Sequence, residues 1–178
     1  MNKAAMSAFR KPAAQSGFTL IELIVVIVIL GILAATALPR FSSISGDARV
    51  ASLNAARGAV MSTTAMVHGQ ALINPTATSF VYEGVTVAVA NGYAAATAAT
   101  ATAAGLTAND YTVTVNTGSS AQAAAGNLPA IPANSFIAQP ISVSGNITGT
   151  TCYLTYTQAA NTTTPPVVTV TGNTANCN

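Results

Sequence analysis

From Phe18 to Leu38 the chain is apolar or small at every position except Thr19, Glu22 and Thr36. A run of that length matches the roughly 20 residues with which a helix crosses the hydrocarbon core of a bilayer. Behind it, apolar residues recur at helical spacing. Val50, Leu53, Val60 and Val67 lie three or seven apart, with Ala51, Ala55 and Ala59 beside them and Asp47, Arg49, Asn54 and Arg57 between. The pattern predicts one helix from Phe18 to about Ala71, apolar all round in its first half and amphipathic in its second. Gly31 and Pro39 are where it should bend or loosen, since glycine adds backbone freedom and proline removes a donor and crowds the preceding turn. At 1.5 Å per residue such a helix is far longer than a bilayer needs, so its outer half must pack on a folded head.

The period changes after Asn74-Pro75. Phe80–Tyr82 and Val85–Val89 read as strands around Glu83-Gly84, Asn91-Gly92 as a turn, and the Ala/Thr-rich residues 94–106 as a short helix interrupted by threonine. Tyr111–Val115 alternates with period two, and residues 116–134 read as a long loop. Further strands are expected at about Ser135–Ile137, Ile141–Ser144, Cys152–Thr157 and Val167–Thr171, with turns at Gly145-Asn146 and Asn161–Pro166. The expected fold class is α+β: a long amino-terminal helix, transmembrane in one half and amphipathic in the other, packed on a carboxyl-terminal antiparallel β-sheet head.

Charge sharpens this picture. The formal net charge of the 178 residues is +2, but Lys3, Arg10 and Lys11 all precede the apolar run, where they would hold the amino end in the cytoplasm. The remainder sets Arg40, Arg49 and Arg57 against Glu22, Asp47, Glu83 and Asp110, which leaves no basic face for nucleic acid. His68 is the only histidine and has no acidic neighbour in sequence, so it reads as a surface or packing residue rather than a general base. No phosphate loop, metal-ligand cluster or nucleophile motif is present, and neither an enzyme nor a cofactor or metal site is expected. Cys152 and Cys177 are the two cysteines; in an exported head they read as one disulfide, the alternative being two free thiols.

A lone carboxylate inside a membrane span is costly and is read as functional, with a partner to be found. Here Glu22 closes the sequence Gly17-Phe18-Thr19-Leu20-Ile21-Glu22, with a basic leader before it and the apolar run after it. This arrangement resembles the processing site of type IV pilins and the related pseudopilins. The resemblance implies that a membrane peptidase cuts between Gly17 and Phe18 and methylates the new amino terminus on Phe18. It also implies that Glu22 of an incoming subunit pairs with the terminal amine of a neighbour, and that the segment from Gly31 to Pro39 can unwind during assembly. The implied segments are a cleaved leader (1–17), a transmembrane and filament-core helix (18–39), the amphipathic half of that helix (40–73), and a β-rich head with a carboxyl-terminal disulfide loop (74–178).

Several later stretches resemble pilins of the mannose-sensitive haemagglutinin type, within the type IVa class. These are Arg40-Phe41, Asp47-Ala48-Arg49, Asn91-Gly92-Tyr93, Cys152 to Thr157, Pro166 to Val170 and the final Cys177. The function implied is that of a structural subunit, the major one, of a bacterial type IV pilus used for adhesion or motility. It would reside in the inner membrane as a precursor and then in an extracellular homo-oligomeric filament. Its partners would be copies of itself, the prepilin peptidase and methylase, and the pilus assembly machinery. Two alternatives stay open. One is a type II secretion pseudopilin, although Glu83 and Asp110, the head's two acidic residues, offer little for the calcium site of its major members. The other is an ordinary secreted domain whose signal peptide ends at Ala35-Thr36-Ala37.

Overall fold

The computed structural model describes residues 18–178, so the leader reading of residues 1–17, with Gly17, lies outside the described residues. The chain divides into two units, one ending at Pro39 and one comprising Arg40–Asn178, and the first helix, α1 (Leu20–Ile73), runs through both. In the first unit α1 contributes a membrane-length stretch, Leu20–Ala37, with a mean hydropathy of 2.8 and no buried residue. Leu20, Ile21, Leu23 and the aliphatic residues up to Leu33 are all exposed. Such a face is stable in lipid or against an equally apolar protein surface, not in water.

The second unit places the amphipathic half of α1 against two antiparallel sheets. Leu53, Val60 and Val67 are fully buried and Val50 packs partly against the core, as their spacing predicts. Ala56 joins them inside, whereas Ala51 and Ala55 face outward. One sheet has the order β1 (Ser79–Tyr82), β2 (Val85–Ala90), β3 (Tyr93–Ala94). Its two hairpins turn on Glu83-Gly84 and Asn91-Gly92, each pair with positive φ (49° and 81°, 53° and 79°). This is the mirror-image turn whose twist suits a two-residue hairpin. A short helix, α2 (Ala98–Ala103), follows, with Thr97 as its cap.

The other sheet has the order β4 (Tyr111–Asn116), β5 (Ser135–Pro140), β6 (Tyr153–Thr157), β7 (Val167–Thr171). β5 is buried at every position. Its Phe136 meets Tyr156 of β6 with ring centroids 5.1 Å apart, and both belong to the main core with Leu53, Val60 and Leu154. A smaller core of Val67, Val87 and Ala94 lies under the three-stranded sheet.

Two expectations change. Ile141–Ser144 is not a strand: β5 ends at Pro140, and the amides of Val143 and Ser144 both donate to the Pro140 carbonyl, closing a turn. The alternation there reflects one buried residue, Val143, in a turn. The strands form two sheets rather than one, because β3 pairs back on β2. The long segment 116–134 is tied across itself by bridges between Gln122 and Ile131 and between Ala125 and Leu128.

Candidate functional site

Phe18 and Thr19 precede α1, and Phe18 is 92% exposed. Thr19 and Glu22 close the helix start on each other. The Glu22 carboxylate, through Oε2, accepts from the Thr19 amide (2.8 Å) and from the Thr19 hydroxyl (2.9 Å), while the Glu22 amide donates back to Thr19 Oγ1 at 3.3 Å. This is a capping box, the T-x-x-E arrangement in which two amides without helical acceptors are satisfied reciprocally. The signal was in the sequence as Thr19 followed three residues later by Glu22, and sequence reasoning passed over it. Among the described residues Glu22 therefore has local hydrogen-bond partners, and none of them carries positive charge. A cation brought to this point would meet a carboxylate already fixed in place. The structure thus puts Phe18 outside the helix and Glu22 at its third position, with the junction at Gly17 beyond the described residues. Gly31 and Pro39 both fall within the bounds of α1.

A second cluster gathers on the head. Cys152 and Cys177 form a disulfide with Cα atoms 5.1 Å apart. It holds a carboxyl-terminal segment that clasps α1: the Thr174 hydroxyl donates to Asp47 Oδ1 (2.5 Å), Arg49 Nη1 donates to the Cys177 carbonyl (2.5 Å), and Ser45 Oγ bonds Asn178 Oδ1. The approach is so close that a Cβ on Gly46 would fall 2.1 Å from the Thr174 carbonyl oxygen. These contacts join residues far apart in sequence, and no local pattern announces them.

His68 stacks flat on Tyr93, ring centroids 4.0 Å apart, and bonds the Gly92 carbonyl through Nδ1 at 2.8 Å. Since a carbonyl only accepts, Nδ1 carries the proton. The ring thus ties α1 to the β2–β3 turn, a packing role. Tyr153 is half-buried on β6. Among the described residues no three of His, Cys, Asp and Glu come together as a metal ion requires.

A family model described as a prokaryotic N-terminal methylation motif matches residues 12–38. The type IV narrow pilus major component PilA5 of Thermus thermophilus is 50% identical over 60 residues. That match covers 34% of this chain and 52% of the relative, so the chain spans about half the length of the curated relative it matches. No solved structure matches the chain. The methylation motif thus opens a membrane-length helix, and over about a third of its length the chain is similar to a type IV pilin.

Proposed function

We propose that this chain is the major structural subunit of a bacterial type IV pilus, anchored in the inner membrane as a precursor and polymerised into an extracellular filament. The observation that carries the reading is the Leu20–Ala37 stretch, in which no residue is buried, opened by a methylation motif. Such a surface must leave lipid for another apolar surface, and the same stretch of neighbouring copies supplies one. The relative's place as a major pilus component favours the major subunit.

In this reading a prepilin peptidase cuts between Gly17 and Phe18, and a methylase modifies the Phe18 amine. The new ammonium of an assembled copy then approaches Glu22 of the incoming one. An ammonium and a carboxylate attract strongly in a low-dielectric bundle, whereas either alone is penalised. Thr19 holds that carboxylate in register beforehand. The segment between Gly31 and Pro39 is where the helix yields as copies pack. Adhesion or motility is the task of the filament, and neither nucleic acid nor a cofactor enters it.

The test is Glu22→Ala in the assembling cell. The chain should insert and lose its leader, yet yield at least tenfold fewer sheared filaments, since tenfold corresponds to about 1.4 kcal/mol per added subunit. Wild-type filament yield from Glu22→Ala would remove the assembly role. A wild-type chain that is cleaved but retained in the membrane under shear would favour the pseudopilin alternative.

A further inference from the structure

The head carries few charges, so an unanswered one stands out. Asp47 accepts from Thr174, Arg49 donates to Ser142 and to the Cys177 carbonyl, and Asp110 accepts from Thr107. Arg57 uses only Nε, which donates to the Val168 carbonyl at 3.2 Å; its terminal NH₂ groups have no partner among the described residues. Glu83 likewise has neither a hydrogen-bond nor an ionic partner among the described residues. It sits exposed at the β1–β2 turn with φ 49°, a conformation glutamate adopts rarely.

Each of these charges adjoins apolar surface. Arg57 rims a pocket of about 420 Å³ formed with Met61, His68, Tyr93, Pro166 and Val168. Its wall is the flat His68–Tyr93 stack, held rigid by the bond to Gly92. Two residues before Glu83, Val81 is 66% exposed on the strand leading to the turn. One patch is thus concave, apolar and cationic at the rim; the other is a protruding hairpin tip, apolar and anionic.

We propose that the Val81–Glu83 tip of one copy docks in the Arg57–His68–Tyr93 pocket of the next, with Glu83 pairing with the free guanidinium edge and Val81 covering the apolar floor. Two different patches on one surface make a heterologous contact, which propagates into an open array unless its rotation closes a ring. Charge complementarity with so few other charges present fixes register and rejects other partners. The contact rests on the filament reading and adds to it a specific head-to-head pair.

The experiment uses the full chain in assembling cells, with Arg57→Glu, Glu83→Arg and the double reversal compared by sheared filament yield. Each single reversal brings like charges together and should lower yield roughly tenfold. The double reversal should restore it to within about twofold, with the melting midpoint unchanged in Glu83→Arg and lowered equally in both chains carrying Arg57→Glu, which lose the bond to Val168. Met61→Cys combined with Val81→Cys should give a ladder of covalent multimers on oxidation, and neither single cysteine should. Single reversals that assemble like wild type would overturn the contact while leaving the pilin reading intact, as would a double reversal no better than the singles. Loss of assembly in Arg57→Glu alone, with Glu83→Arg indifferent, would assign the pocket to an anion other than Glu83 and overturn it too. A wild-type chain that forms no filament would remove the functional reading itself.

Discussion

A carboxylate set at the start of an apolar helix needs a local hydrogen-bond partner, and Thr19 supplies one to Glu22. The same economy of contacts operates at Gly46, where the chain has no room for a side chain because the Thr174 carbonyl occupies it. Backbone rather than a movable side chain would have to shift, so Gly46→Ala should destabilise the head by about 1–3 kcal/mol, read as a lowered urea midpoint. Gly58, with open space at the Cβ position, serves as the control and should tolerate alanine.

Tyr156 provides a pH signature. Its hydroxyl donates to the Ala94 carbonyl at 2.5 Å, and burial pushes its phenol well above the ordinary value of 10.0. The unfolded chain then loses this proton near pH 10 while the folded chain keeps it. The stability so contributed is complete below pH 10 and declines as pH rises above it, by at most about 1.4 kcal/mol per pH unit. Tyr156→Phe should flatten that alkaline decline in an unfolding-midpoint series, leaving the smaller share of Tyr82, also raised by burial.

At the scale of elements, the periodicities carried most of the fold. The stripe Leu53, Val60, Val67 is inside as a 3.6-residue period requires, and β7 alternates as its Val/Thr pattern predicts. What was not legible depends on partners distant in the chain. β3 is two residues long and exists only because β2 offers it an edge. Ile141–Ser144 alternates like a strand but becomes a turn, since its amides find an acceptor in Pro140. The clasp on α1 spans 127 to 133 residues of sequence, beyond any local signal. By contrast, the Thr19–Glu22 box was legible as T-x-x-E. The disulfide holds the clasp, so its loss should be felt on α1. Cys177→Ser should lower stability by about 3 kcal/mol through the freed loop of 25 residues. Amide exchange at residues 45–50 should accelerate with it; an unchanged urea midpoint would show that the bridge does not stabilise the head.

At the scale of the whole molecule, a surface that water cannot accommodate coincides with a methylation motif at its start. Among the described residues the head adds little charge and no cluster of three His, Cys, Asp or Glu. The most direct test is mass spectrometry of the amino-terminal peptide of the chain in filaments sheared from cells. A peptide beginning at Phe18 and heavier by one methyl group is the predicted result, and it would join processing, export and assembly in one measurement. A chain beginning at Leu38, cut after Ala37 and recovered as a soluble secreted protein, would contradict the account, because both the exposed helix and Glu22 would have been discarded.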